Sequence, residues 1–290
     1  MIISDLLILL TLCVCFVEVN PVIKLIATDI DQTLVGAGNY LPESAVAAIH
    51  DALAAGIKVV LASGRPLVGM QEYLDKLGIG GSEQYAITHN GAILTRTDGN
   101  ILTRKMMSYA DYVSMTHFAQ AHQVPFGVQD ANSSVYTADR DIDYVTALQA
   151  VENHSSIYCR QPEEMPASFE VAKADFVGDA ARLDAIEPAV RAQYGATHYV
   201  TRAGRVFLEL MHKDVNKGDA LADLAKRLGY RADEVLALGD EENDLPMFAF
   251  AGTAIAMGNG RDAVKAAATH VTASLRDDGW AKAVREYALS

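Results

Sequence analysis

The chain has 290 residues, half of them hydrophobic and about a fifth charged, which is the composition of a soluble globular protein with room for one large or two modest domains. Its 24 basic and 37 acidic residues leave a formal charge of −13, which argues against nucleic acid or an anionic membrane as the main partner, since both need a basic face. An anionic small substrate stays open if a metal and a few cations reverse the field locally. Three cysteines, two of them in the first fifteen residues and Cys159 alone, form neither a disulfide framework nor a metal cluster and fit a reducing cytoplasm.

The first 21 residues differ from the rest. Leu6 to Val17 is almost continuously apolar, too short to span a bilayer comfortably, and the start carries Asp5 with no Lys or Arg. Translated sequence upstream of the true start, an export or anchor segment, and an extra helix all fit. The first is preferred, because Val22-Ile-Lys-Leu-Ile-Ala-Thr-Asp29 reads as the natural opening of a domain, so residues 1–21 are expected outside the fold.

From Lys24 an apolar run ends at Asp29-Ile-Asp31-Gln-Thr33, the pattern of a buried parallel strand that delivers two carboxylates to solvent. Carboxylates so close repel each other unless a cation sits between them or one stays protonated, although an ordinary strand-to-turn junction, where Asp bonds nearby backbone, reads the same way. Ligands in open α/β sheets bind at that strand end. A helix is expected from Pro42 to Gly56, then a second strand, Lys58 to Ala62, ending in Ser63-Gly64-Arg65-Pro66. Gly64 would let the backbone approach an anion closely, although a plain strand-to-helix turn reads the same way. Tyr85 to Ala92 reads as a third strand with a polar loop, in which His89 has no second His at ligand spacing.

Between about Lys105 and Gly204 strands and helices stop alternating simply, as in an α+β insertion. Helices are expected at Ser108 to Gln123, Asp141 to Glu152 and Ala180 to Tyr194, the last kinked by Pro188. Strands are expected near 124–128, 134–137, 157–160 and 169–177. His198 to Arg202 and Arg205 to Met211 form a hairpin pattern across Ala203-Gly204. The βαβ pattern returns at Asn216-Lys217-Gly218, where a lysine in a helix's first turn is explained either by an anionic partner, since cations are disfavoured there, or simply by solvation of its ammonium. The strand Glu234 to Gly239 then ends in Asp240-Glu241-Glu242-Asn243-Asp244, a hard-oxygen cluster suited to magnesium or simply an acidic helix start. A last short strand, Thr253 to Met257, precedes a tail with the only tryptophan, Trp280.

Each stretch is weak alone. In this order, each at a strand's C-terminal end, they resemble the four motifs of the haloacid dehalogenase superfamily: the Asp29-Ile-Asp31-Gln-Thr33 box, Ser63-Gly64, Lys217, and Gly239-Asp240-Glu-Glu-Asn243-Asp244. An insert between the second and third motifs resembles the Cof-type branch, and Ile87-Thr-His-Asn-Gly91-Ala and Phe207-Leu-Glu-Leu210 look most like its YidA-type sugar phosphatases. The resemblance implies an α/β, Rossmann-like parallel core, residues 22–104 and 205–290, with an inserted α+β cap at 105–204. It implies a cytoplasmic, magnesium-dependent phosphatase of small phosphorylated metabolites, sugar phosphates above all. Asp29 would be the nucleophile and Asp31 the general acid and base. Ile30, Ser63, Gly64, Lys217 and Asn243 would hold substrate, and Asp244 would orient Lys217. Magnesium would take the carboxylates of Asp29 and Asp240 and the backbone carbonyl of Asp31, with Glu241 as a further ligand. Arg65 is read as structural. Asn90, Tyr136, Arg140 and Glu209 are candidates for specificity by polarity and placement. Gln32 departs from the glycine usual at its position and would be strained if φ there is positive. A phosphomutase and a non-catalytic phosphosugar-binding protein are the alternative readings, and a membrane-anchored enzyme is a further one that depends on residues 1–21 alone.

Overall fold

The computed structural model describes residues 22–290, so the expectations for residues 1–21 lie outside the described residues. The chain opens with β1 (Leu25–Thr28), α1 (Glu43–Ala54), β2 (Lys58–Ala62), α2 (Leu67–Leu77), β3 (Tyr85–Thr88), β4 (Ile93–Arg96) and β5 (Ile101–Arg104). There follow α3 (Tyr109–His122), β6 (Phe126–Gln129), β7 (Val135–Thr137), α4 (Tyr144–Glu152), β8 (Ile157–Cys159), β9 (Lys173–Val177), α5 (Ala180–Tyr194), β10 (His198–Arg202) and β11 (Phe207–His212). The rest is α6 (Lys217–Leu228), β12 (Val235–Gly239), α7 (Leu245–Phe250), β13 (Thr253–Ala256), α8 (Asp262–Ala267), β14 (His270–Val271) and α9 (Gly279–Tyr287).

One sheet has the order β14-β13-β12-β1-β2-β3-β4-β5, parallel from β14 to β3 and antiparallel beyond. Side chains alternate across it. Ile26, Val59, Leu61, Leu236 and Leu238 pack under α1, α2 and α9, while Leu25, Ala27, Val60 and Ala237 pack under α6, α7 and α8. With both faces covered, its central strands are continuously apolar. Trp280 of α9 is buried and donates its indole N–H to Thr28 Oγ1 at 2.8 Å, so the burial leaves no donor unmade.

The second sheet has the order β10-β11-β9-β6-β7-β8. Ala174 and Phe176 of β9 and Leu208 and Leu210 of β11 face a core shared with α3 and α5. The alternate positions, Lys173, Asp175 and Glu209, are polar and face the other way. Lys173 and Glu209 among them form part of the roof over the first sheet's strand ends.

The observed elements differ from the expected ones in two places. The second sheet runs on through β11, which pairs with β9 and β10, so its last strand lies beyond residue 204. The helix expected over Ala180 to Tyr194 has those bounds and runs through Pro188 as one element. The carbonyl its ring leaves without a donor belongs to Asp184, on the exposed side of the helix. The stretch Ile93–Arg104, passed over in the sequence, is the antiparallel pair β4–β5. Among the described residues no helix is long and apolar enough to cross a membrane.

Candidate active site

Strands β12, β1, β2 and β3 are parallel neighbours, so their C-terminal ends open side by side. That register gathers Asp29 to Asp31, Ser63 to Arg65, His89 to Gly91 and Asp240 to Asp244 from four distant stretches. They meet at a cleft of about 500 Å³, lined from the first sheet by Asp29, Asp31, Ser63, Gly64, Asp240 and Asn243 among others. Its roof includes Gln149, Asn153, Lys173 and Glu209.

Lys217 opens α6, where Asn216 caps the helix by accepting from the Asp219 N–H at 2.8 Å. Its ammonium is fully buried and lies 2.6 Å from Asp29 Oδ1 and 2.7 Å from Asp244 Oδ1. Burial opposes the lysine's charge, but Asp244 and Asp29 outweigh it and hold its pKa above the ordinary value. The anionic partner that the first-turn lysine called for is this pair of carboxylates. Asp244 is spoken for on both oxygens, since Oδ2 accepts from the N–H groups of Asp240 and Glu241 at 2.9 and 3.1 Å.

Asp29, Asp240 and Asp244 place carboxylate oxygens within 4.8 Å of one another, all buried, with one ammonium among them. Burial pushes Asp29 up to about 7 against the pull of Lys217, and Asp244 and Asp31 add to the rise. Burial and then the neighbouring Asp29 and Asp244 push Asp240 to about 8. Asp29 Oδ1 is taken by Lys217 and Asp240 Oδ1 by Thr33 Oγ1 at 2.6 Å. Among the described residues nothing donates to the second oxygen of either. Two hard oxygens in a site with surplus negative charge are a donor set that fits a divalent cation such as magnesium.

The remaining expected residues fall as follows. The Ile30 side chain is buried in the core, which leaves only its main chain to meet a ligand. Ser63 is buried and accepts from the Arg65 N–H at 3.2 Å. Glu241 lines the cleft and pairs with Arg261 at 2.6 Å. Asp31 is half exposed, and both its oxygens are held by Arg65, with Nε to Oδ2 at 2.9 Å and Nη2 to Oδ1 at 2.7 Å. Burial works against the Arg65 charge, and the bonds and field of Asp31 more than restore it. Arg65, read as structural from sequence, therefore grips the proposed acid and base. Its Nη1 also reaches the Glu152 carbonyl at the end of α4, at 3.4 Å.

Of the specificity candidates, Glu209 lines the cleft and Asn90 sits fully buried behind it. Tyr136 instead stacks on Tyr158 and reaches Asp130, and Arg140 is exposed and outside the cleft lining. Lys173 was missed. The signal was a lysine inside the apolar run Val171 to Val177, a position where a charge is rarely left without partners.

The model of the haloacid dehalogenase-like hydrolases matches residues 26–284. A putative phosphatase of Bacillus subtilis, YxeH, is 32% identical over 268 residues, covering 92% of this chain and 99% of that protein. The 5-amino-6-(5-phospho-D-ribitylamino)uracil phosphatase YcsE of the same organism is 27% identical and covers 92% and 96%. The solved structure of a subclass IIB sugar phosphatase superposes with a TM-score of 0.76 at 25% identity, over 92% of this chain and all of that one. With the motif residues gathered at one strand-end cleft and the match running almost end to end, the chain belongs to the haloacid dehalogenase-like hydrolase family.

Proposed function

We propose that the protein is a magnesium-dependent phosphatase of small phosphorylated metabolites, sugar phosphates above all, that works through an aspartyl-phosphate. The observation that carries this reading is the buried Asp29 carboxylate, fixed by Lys217 at 2.6 Å on the floor of a cleft large enough for a phosphorylated sugar. Asp29 attacks phosphorus in line, and the bond from phosphorus to the leaving alkoxide breaks. Asp31 gives the alkoxide its proton. Both Asp31 oxygens are engaged by Arg65, so this transfer needs the guanidinium to let go of at least one. Water then attacks the phosphorus, Asp31 takes its proton, and the bond to Asp29 breaks to release phosphate. Lys217, Ser63, Asn243 and the main-chain N–H groups of Ile30 and Gly64 hold the phosphoryl oxygens, and Asp244 orients Lys217. Asp29 and Asp240, with the Asp31 carbonyl and Glu241, would hold the magnesium. Bound there, it would offset the negative charge gathered as the phosphoryl group transfers.

The substrate class is supported by the hydrogen-bonding roof of Gln149, Asn153 and Lys173, which suits a hydroxylated leaving group, and by the names of the similar phosphatases. Residues 105–212 act as the cap that excludes water. The exposed, free thiol of Cys159 fits a reducing cytoplasm. Phosphate release from a panel of sugar phosphates and an aryl phosphate, with and without magnesium, tests the reading. Metal-dependent release ranked by sugar is expected. Isomerised sugar phosphate without release of phosphate would point to a mutase, and binding with no chemistry to a phosphosugar-binding protein.

A further inference from the structure

A chain of buried polar side chains runs from the second sheet into the loops that flank Asp29. Lys173 of β9 lies 2.6 Å from Glu209 Oε1 and 3.3 Å from Asp175 Oδ1, all three nearly inaccessible to solvent. Glu209 Oε2 accepts from Asn90 Nδ2. Asn90 Oδ1 accepts in turn from Asn243 Nδ2 at 3.0 Å. Asn90 is held from behind as well: its N–H donates to the Ser63 carbonyl at 2.9 Å, and its amide lies against Gly64.

A side-chain amide accepts at one end and donates at the other, so its orientation is fixed by its neighbours. An ionised carboxylate beside a lysine and an amide can only accept, on both oxygens. Burial opposes the Lys173 charge, but Asp175 and Glu209 keep it above its ordinary pKa. Burial pushes Glu209 up to about 7 against the pull of Lys173, and it is the ionised form that accepts from the ammonium on Oε1 and from the Asn90 amide on Oε2. Glu209 thus turns the NH2 of Asn90 toward itself and the Asn90 carbonyl toward Asn243. That carbonyl turns the NH2 of Asn243 toward Asn90 and leaves its second N–H free. Asn243 Oδ1 has no partner among the described residues, so no other bond sets which way this amide points.

We propose that Glu209 and Asn90 are positioning residues: the acceptor-only carboxylate on the cap strand sets, through Asn90, the orientation in which Asn243 offers an N–H to the phosphoryl group. The proposal rests on the phosphoryl-binding reading above and deepens it, because the core site is then complete only with the cap seated on it. A buried ion pair adds little net stability, so the Lys173–Glu209 pair is not explained by packing alone.

Glu209→Gln is the decisive variant, being nearly isosteric while turning one acceptor into a donor. With its carbonyl toward Lys173 it points NH2 at Asn90, both asparagine amides reverse, and a carbonyl faces the phosphoryl group. Affinity for inorganic phosphate in the presence of magnesium, by titration calorimetry, and kcat/KM are both expected to fall by about tenfold or more. In an Asn243→Ala background the same change is expected to cost less than about twofold, because the amide it acts through is gone. Asn90→Gly, which tolerates the left-handed backbone at that position, is expected to repeat the pattern should Glu209→Gln fold poorly. Equal losses in both backgrounds, or unchanged phosphate affinity in the otherwise native protein, would overturn the proposal. The expected binding pattern in a protein that turns over no phosphate ester would leave the relay standing and contradict the phosphatase reading instead.

Discussion

Gln32 is held at φ 63°, the left-handed region that its place in the first motif demands. Its N–H donates to the Val35 carbonyl and its own carbonyl accepts from Asn259 Nδ2, both at 2.8 Å, so the turn that presents Asp29 and Asp31 is closed on both sides. A non-glycine residue pays about 1–2 kcal/mol there, against about 0.5–1 kcal/mol of extra backbone entropy lost by glycine. Gln32→Gly is therefore expected to raise stability by up to about 1 kcal/mol, read as a higher urea midpoint at unchanged slope. A lower midpoint would mean that the glutamine side chain makes a contact worth more than the strain. That Asp29, Lys217, Asp240 and Asn243 come from stretches that belong together was legible in the order of the motifs they resemble, each beside the end of an apolar strand or the start of a helix. The Arg65–Asp31 fork was not. It depends on β1 and β2 being parallel neighbours in a register that sets Thr28 beside Leu61, which no local pattern reveals.

The short turn His89–Gly91 shows how an element with little secondary structure organises the site. Asn90 is tied to Ser63, the His89 N–H donates to the Arg65 carbonyl at 3.2 Å, and Gly91 packs against the Asn216 carbonyl that precedes Lys217. Gly91 has φ 100°, and a Cβ there would collide with that carbonyl. Gly91→Ala is expected to cost about 2 kcal/mol or more in chemical denaturation and to lower activity by displacing the start of α6. Full activity at unchanged stability would show that this contact does not position Lys217. At the same scale, the β4–β5 hairpin carried a plain signal, Asp98-Gly99 between two short apolar runs. It lies between the polar loop after the third strand and the insertion expected from Lys105, and no element was expected there. The cap boundary was harder to place, since β11 continues directly toward Lys217 and only its pairing with β9 and β10 assigns it to the second sheet.

Over the whole molecule, cap and core meet through a buried apolar seam of Ala92, Ile93, Ala172 and Met211 and through polar links around the cleft: Arg65 to the Glu152 carbonyl, Asn90 to Glu209, and Arg191 to Glu242 at 3.2 Å. Which cap side chains face inward follows from strand alternation, but sequence alone could not say which face of the sheet looks at the site. The acidic floor has a consequence for stability. Without metal, Asp29 and Asp240 rise from 3.8 to about 7 and about 8 in the folded protein. Above the unfolded value the folded state then binds more protons than the unfolded chain, so stability falls as pH rises from about 4 to about 8. Magnesium replaces those protons, and the rise in Tm it causes over chelator-treated protein is expected to be small near about pH 5 and largest near about pH 8. A shift that does not depend on pH would place the cation elsewhere. The proposed aspartyl-phosphate is read by the mass of the peptide containing Asp29 after acid quench of the first turnover with a phosphate monoester and magnesium. One added phosphoryl group is expected on that peptide and none on that of Asp29→Asn, which is expected to release no phosphate. Phosphate release with that peptide unmodified in the native protein, or turnover retained in Asp29→Asn, would contradict it.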